Sequence, residues 1–412
     1  MSRTLLLQGP VGPFFNGLAQ ELRRRGDQVT QIVFNGGDEW FADREATIRF
    51  TGSEAEWPTF LDGILTQRRI DRVFLFGDCR ALHRSALELC RAKDITTFVV
   101  EEGYLRPSFV TIEEFGVNAF SRLPRRPTWY LEQEKTLDTS SRPLMHYRWA
   151  FLLRTWICIQ YYMAMALGRR LFPAYVHHRC SDLRLEGAAW VRSLWRWYAY
   201  RFKERNELAR LHGKKFYLVP LQVHNDSQVS EHSDFTSVAD FIHVVMASFA
   251  KQAPENSLLV IKHHPMDRGY VDYAKILERV AIELGIYGRV RYVHDVPLPN
   301  LLRAASGVVV INSTVGLSSL IHGVPVKALG RAIYDLPGLT SAQSLDAFWR
   351  APRPVDRHLA NAFCAVLKHR TQLNASTSSQ LSTWDLFDRV PEFVGRPQTE
   401  AILVPSALKV SN

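Results

Sequence analysis

Phe216-Tyr-Leu-Val-Pro-Leu221 running into Gln222-Val-His-Asn-Asp226-Ser-Gln228, and Ser257-Leu-Leu-Val-Ile-Lys262 running into His263-His264-Pro265, set the reading of this chain. Each couples a short apolar run to a polar loop. Five or six apolar residues are too few for a helix, and their continuity, without alternation, is that of parallel strands covered on both faces. In open α/β sheets ligands bind at the carboxyl ends of such strands, where both loops fall. One loop supplies a carboxylate, Asp226, and the other supplies Lys262 and His264, groups suited to a phosphate.

The same strand, loop, helix order extends outward. Thr4 to Gln8 reads as a strand, 9–17 as a glycine-containing loop, and the next stretch as a helix carrying Leu18 and Leu22 and stopped by Gly26, before a strand from Gln28 to Phe34. Strands over 72–77 and 96–100 flank a helix over 81–92, and after residue 214 strands at Phe216, Leu258, Val290 and Val308 alternate with helices over 238–251 and 271–284. The expected fold class is α/β, two Rossmann-like domains with a helical insertion. Four segments follow: 1–135, N-terminal α/β; 136–213, a helical insertion rich in Trp and Arg; 214–350, C-terminal α/β; and 351–412, a C-terminal helix and tail.

Within 412 residues, 46% hydrophobic and 22% charged content describes a folded chain of about two domains rather than a disordered one. The net charge of +10 suits phosphorylated substrates, an anionic membrane surface or nucleic acid. Nucleic acid accounts for the charge but not for acids at strand ends, so no nucleic-acid partner is expected. Five widely spaced cysteines without a C-x-x-C pair point to a reducing cytoplasm. The first residues read as a strand rather than a signal peptide, and no segment reaches the roughly 20 apolar residues of a bilayer span. Gly9, Gly12 and Gly17 do not match G-x-G-x-x-G, and neither a P-loop nor a G-x-S-x-G elbow is present, which argues against a dinucleotide enzyme, an ATPase and an α/β-hydrolase.

Four constellations carry chemistry. Asp226 sits among His224, Asn225, Ser227 and Gln228, which can hold a sugar or orient a carboxylate; it reads either as nucleophile or base, or as a cap of the following turn. Glu101-Glu-Gly-Tyr-Leu-Arg106-Pro107 follows a strand expected to end at Val100, so one of its two acids can face a reaction centre and Arg106 can meet an anion; a solvated surface ion pair is the other reading. Lys262-His-His264-Pro265 lacks the acid and histidine partners of a zinc site and reads as a phosphate ligand set, with the proline turning the chain. Asn312-Ser313-Thr314-Val-Gly316 follows a buried strand, and its hydroxyls either cap a helix or leave its amides to an anion.

In their order along the chain these four motifs resemble the capsule polysaccharide biosynthesis family, in particular its KpsS-type transferases of Gram-negative bacteria. The resemblance covers about residues 5–340 and implies a GT-B arrangement, with the C-terminal domain holding a CMP-sugar donor and the N-terminal domain on the acceptor side. It implies a β-Kdo transferase that moves Kdo from CMP-Kdo to lysophosphatidylglycerol, the first residue of the linker of capsular polysaccharide. Asp226 is then the nucleophile and Glu102, with Glu101 the alternative, the acid/base or acceptor-orienting carboxylate. Lys262, His264, Pro265, Asn312, Ser313 and Thr314 would bind the CMP phosphate; Gln222, His224, Gln228 and Arg106 would bind substrate. No cofactor and no metal are expected, because the donor already carries a phosphate leaving group that basic side chains and helix amides can neutralise. A KpsC-type transferase and the capsule export complex are implied partners.

The insertion, with Trp149, Trp156, Tyr161, Tyr162, Trp190, Trp195 and Trp197 among Arg154, Arg169, Arg170 and Arg192, has two readings. It lies in a lipid headgroup region, which places the protein peripherally on the cytoplasmic face of the inner membrane, or it is a hairpin buried between the two sheets. Another CMP-sugar transferase of sialyltransferase type, a nucleotide-sugar epimerase and a non-catalytic scaffold of capsule export stay open as alternatives.

Overall fold

A computed structural model describes residues 1–43, 46–106, 108–137, 150–177, 183–226, 229 and 231–377. The strands are β1 (Arg3–Leu6), β2 (Gln28–Val33), β3 (Thr47–Arg49), β4 (Arg72–Phe76), β5 (Thr96–Glu102), β6 (Val110–Glu114), β7 (Phe216–Pro220), β8 (Leu258–Lys262), β9 (Val290–Val293), β10 (Gly307–Val310), β11 (Val326–Ala328) and β12 (Gln372–Leu373). They form two sheets, ordered β12-β6-β5-β4-β1-β2-β3 and β11-β10-β7-β8-β9. The second is parallel throughout, and the first is parallel from β3 to β5 with β6 and β12 antiparallel at one edge.

Every residue of β7 is buried, as its unbroken apolar sequence requires of a central strand with helices on both sides. Phe241, Val245 and Phe249 of the helix Val238–Gln252 cover one face of the second sheet; Leu301, Leu317 and Leu320 cover the other. In the first unit the helix Phe14–Arg24 packs Phe14, Leu18 and Leu22 on one face, and Trp57 and Leu61 lie on the other, with Trp57 edge-on to Phe34 and Phe50 at 5.1 and 5.0 Å. Each fully buried side chain of this size contributes about 1.5–3 kcal/mol. Two Rossmann-like units with carboxyl edges turned toward each other constitute the GT-B arrangement.

Two features differ from the sequence reading. Strand β5 runs on through Glu102 instead of stopping at Val100, because β6 returns antiparallel and pairs Glu101 with Thr111 and Glu102 with Val110. The chain also crosses back after the second sheet: the helix Arg357–Thr371 lies against the helix Pro127–Glu134, with Phe363 and Tyr130 rings 4.8 Å apart, and β12 then extends the first sheet beside β6. One apolar cluster therefore continues from the first unit through this helix into the second.

The insertion forms the helices Ala150–Leu167, Leu183–Lys203 and Glu207–Leu211. The first lies on the N-terminal unit, where Gly36 leaves no room for a Cβ against the Ala164 carbonyl and Tyr161 donates a 2.7 Å hydrogen bond to Asp38. The second lies on the C-terminal unit: Arg192 and Arg196 donate to the Gly269 and Arg268 carbonyls at 2.8 Å, Tyr200 stacks on His294 at 3.6 Å, and Glu204 accepts the backbone N–H groups of His294 and Asp295. The buried-hairpin reading is therefore not what the described residues adopt. One helix clamps each unit, and their outer faces remain open, with Trp156 58% and Trp195 70% exposed. Among the described residues no helix is long and apolar enough to cross a membrane.

Candidate active site

Asp78 follows the end of β4, Glu101 and Glu102 end β5, and Asp226 follows β7, so carboxylates from both units meet at facing carboxyl edges. Successive strand residues point to opposite faces, and the two glutamates accordingly live in different surroundings. Burial, then the charges of Asp78, Glu102 and Asp226, push the Glu101 carboxyl up from 4.5 to about 8, with Arg80 opposing. Glu102 instead forms ion pairs with Arg106 at 3.1 Å and Arg154 at 2.6 Å. Glu101 thus carries a proton at neutral pH while Glu102 lies against two guanidinium groups, which favours Glu101 for proton transfer and Glu102 for holding cations. Asp226 is half-buried, its loop closed by hydrogen bonds from its own N–H to the Val223 carbonyl and from the Val229 N–H to its carbonyl.

His264 stands close enough to Arg106 and Glu102 for both charges to act on its ring. Its Nδ1 accepts the Met266 backbone N–H at 3.2 Å, which fixes the proton on Nε2. Burial, Arg106 and Lys262 hold its pKa at about 4, so it is a neutral N–H donor, suited to a phosphate oxygen. Pro265 is exposed and starts the short turn Pro265–Asp267 that aims the ring. His224 is anchored to the same turn, its backbone N–H and Nδ1 both on Asp267 at 2.7 and 2.6 Å.

Lys262 is placed differently from the sequence expectation. Its ammonium is buried, donates to the His294 carbonyl at 3.1 Å and feels Glu204 and Asp295, with burial pushing its pKa down to about 8. It braces the second insertion helix and the loop after β9. Gln222 and Asn312 also have a structural partner in each other: Gln222 Nε2 donates to Asn312 Oδ1 at 2.9 Å across β7 and β10, the two strands between which the connection order reverses. They tie the loop after β7 to the loop after β10 at the crevice of the second sheet. Ser313 caps the helix Thr314–Ile321 by accepting the Val315 N–H, and Thr314 begins that helix. Gly316 allows Tyr334 to approach so closely that a Cβ would overlap its hydroxyl, which donates to the Ser313 carbonyl. Gln228 lies outside the described residues, as do Ser227 and Pro107.

The structure therefore gathers Asp226, Glu101, Glu102, Arg106 and His264, and leaves Lys262, Gln222 and Asn312 in supporting positions. Sequence reasoning missed Asp78, Cys79, Arg80 and His232. Cys79 Sγ lies 3.2 Å from Asp78 Oδ1 and 3.4 Å from His232 Nε2, and one ligand atom of each residue falls within 4.8 Å of the others, a grouping able to hold a metal ion. Gly77-Asp78-Cys79-Arg80 occupies the same place after β4 as the recognised loops do after β7 and β8, which was a usable signal. His232 had none, since its partner is 153 residues away. Arg84 to Glu231 at 2.7 Å, and Arg125 to the Ala332 carbonyl at 2.7 Å, hold the two edges in register.

The sequence profile described as "Capsule polysaccharide biosynthesis protein" matches residues 71–377. The chain is 42% identical over 374 residues to the capsule polysaccharide export protein KpsS of Escherichia coli, covering 90% of this chain and 95% of that protein. It is 42% identical over 384 residues to the capsule polysaccharide modification protein LipB of Neisseria meningitidis, covering 92% of each. Among solved structures it is similar to the β-Kdo 2,7 transferase of Thermosulfurimonas dismutans KpsC, with a TM-score of 0.44 and 15% identity over 88% of this chain and 89% of that one. The chain belongs to the capsule polysaccharide biosynthesis family.

Proposed function

We propose that this protein is a glycosyltransferase that moves Kdo from CMP-Kdo to lysophosphatidylglycerol with retention, laying down the first sugar of the capsular β-Kdo linker for a KpsC-type enzyme to extend. The observation that carries the reading is the meeting of Asp226 from one unit with protonated Glu101 from the other, beside the neutral donor His264. Asp226 attacks the anomeric carbon as the bond to phosphate breaks and CMP leaves with its electron pair, assisted by the Glu101 proton and by His264 Nε2–H. The acceptor hydroxyl then displaces Asp226 and gives its proton to Glu101, restoring both groups. No metal takes part in this scheme. The open apolar faces of the two insertion helices, set among Arg169, Arg170, Arg201 and Lys203, rest on the anionic surface of the inner membrane.

Purified protein incubated with CMP-Kdo and lysophosphatidylglycerol should convert the lipid to a species heavier by one Kdo and no more, read by mass spectrometry. An unchanged lipid with the donor intact would reject the reading. Conversion with another CMP-sugar and not with CMP-Kdo would move it to a sialyltransferase-type activity.

A further inference from the structure

Beside the carboxylates of the transfer scheme, a second constellation bridges the two units. Asp78 and Cys79 follow β4 in the N-terminal unit, and His232 lies beyond β7 in the C-terminal unit. Asp78 is 4% and His232 0% exposed, while Cys79 is half-buried, which leaves an entry on that side. The carboxylate is oriented through one oxygen: Asp78 Oδ2 accepts the Val117 N–H at 3.1 Å, and Oδ1 faces Cys79 Sγ at 3.2 Å. Among the described residues neither of these partners is a cation, although a buried carboxylate is costly without one.

His232 turns Nε2 to the same thiol at 3.4 Å, and its ring is held by Phe120, 4.7 Å away, rather than by a hydrogen bond at Nδ1. Burial, opposed by Asp78, lowers its pKa, so the imidazole is neutral and able to donate a lone pair. Tetrahedral zinc has bonds of about 2.3 Å to sulfur and about 2.0–2.1 Å to nitrogen or oxygen, so a sulfur and its neighbouring ligand stand about 3.5 Å apart. The separations of 3.2 and 3.4 Å around Cys79 Sγ are close to that edge length. Thiolate, imidazole and carboxylate together select a softer ion than Mg²⁺ or Ca²⁺, which take oxygen ligands. The carboxylate and thiolate charges balance a divalent ion, and three protein ligands leave the fourth position to water.

We infer that Asp78, Cys79 and His232 form a site for a soft divalent cation of the Zn²⁺ class, that the ion ties the two units together, and that its occupancy opposes the transfer. The site stands on its own geometry, and the inhibition rests on the functional reading above. The Asp78 charge is among those that keep Glu101 protonated, so an ion that discharges it favours loss of the proton that assists CMP departure. The metal-free protein is then the active form.

The test titrates the full-length, untagged, metal-stripped protein with Co²⁺ and then Zn²⁺. The wild type should take up one Co²⁺ with a near-ultraviolet sulfur-to-cobalt charge-transfer band that Zn²⁺ bleaches. Zn²⁺ at about 100 times its dissociation constant should raise the melting temperature by roughly 5–10 °C. In Cys79→Ser the band should be absent, and in His232→Gln the Co²⁺ affinity should fall about tenfold or more, with circular dichroism checking both folds. No band in the wild type, a band that survives Cys79→Ser, or undiminished affinity in His232→Gln would overturn the site. Saturating Zn²⁺ should slow wild-type transfer about tenfold or more and leave Cys79→Ser at its own metal-free rate; equal effects on the two would overturn the inhibition. If the wild type gives no transfer from CMP-Kdo, the functional reading fails, while the cobalt titration still decides the site.

Discussion

Replacing Glu101 by glutamine should separate catalysis from stability in opposite directions. In the folded protein Glu101 keeps its proton up to about pH 8, against 4.5 for an ordinary glutamate. Between those values the folded state holds a proton that the unfolded chain has released, so raising the pH favours unfolding. At about 1.4 kcal/mol per pH unit, this stabilisation, complete below the unfolded value and gone above the folded one, amounts to roughly 5 kcal/mol. Between about pH 5.5 and 8.5 the part at stake is about 3 kcal/mol, or roughly 6–12 °C in melting temperature for a unit of this size. Glu101→Gln removes the titration while keeping the side chain's size. Glu113, pushed up to about 7, and the lowered histidines His83, His263 and His264 titrate in both proteins, so the informative quantity is the difference between the two melting curves across pH. The variant should gain on the wild type steadily as pH rises while transfer falls about 10²–10⁴-fold. Parallel melting curves, or a variant that loses ground at high pH, would refute the assignment of Glu101 as a buried, protonated acid.

The remaining predictions concern the crevice, the membrane face and the metal question. Asn312→Leu strands the Gln222 amide between β7 and β10 and should cost about 1–3 kcal/mol in denaturant unfolding; a neutral effect would mean the pair is not the lock described. Gly316→Ala forces Tyr334 off the Ser313 carbonyl and should cost about 1–3 kcal/mol and weaken CMP binding in calorimetry, whereas an unchanged affinity would detach this turn from the nucleotide. Binding to vesicles of anionic lipid should fall steeply between about 0.1 and 1 M salt as the screening length drops from roughly 10 to 3 Å, and failure to float with such vesicles at low salt would count against membrane docking. Exhaustive chelation should leave the transfer rate unchanged; its loss, with recovery on adding Zn²⁺ but not in a Cys79→Ser variant, would place a metal at Asp78, Cys79 and His232.

The two sheets were legible because parallel strands buried on both faces leave unbroken apolar runs, and Phe216 to Leu221 and Leu258 to Lys262 are such runs. The edge strands β3 and β12 were not, since they are only three and two residues long, and neither was β6, whose sequence Val110-Thr-Ile-Glu-Glu114 breaks the apolar run although it is buried between β5 and β12. The same limit hid the extension of β5 to Glu102, which is imposed by its partner β6 and not by its own sequence. At the site, position after a strand was readable, so Asp226, Glu101, Glu102 and His264 could be picked out. Allegiance was not: that Lys262 faces His294 and that Gln222 bonds Asn312 depends on contacts 32 and 90 residues distant. For that reason the division of labour between Glu101 and Glu102 emerges only once Asp78, Asp226, Arg106 and Arg154 are set around them.

The two-carboxylate account is tested most directly by incubating the Glu101→Gln variant with CMP-Kdo in the absence of acceptor and measuring the intact protein by mass spectrometry, followed by peptide mapping. Loss of the acid/base group slows turnover of the covalent sugar, so the account predicts a gain of one Kdo residue mapped to Asp226 and abolished by a further Asp226→Asn change. A Kdo adduct on any other side chain, or CMP release that persists undiminished without Asp226, would contradict it.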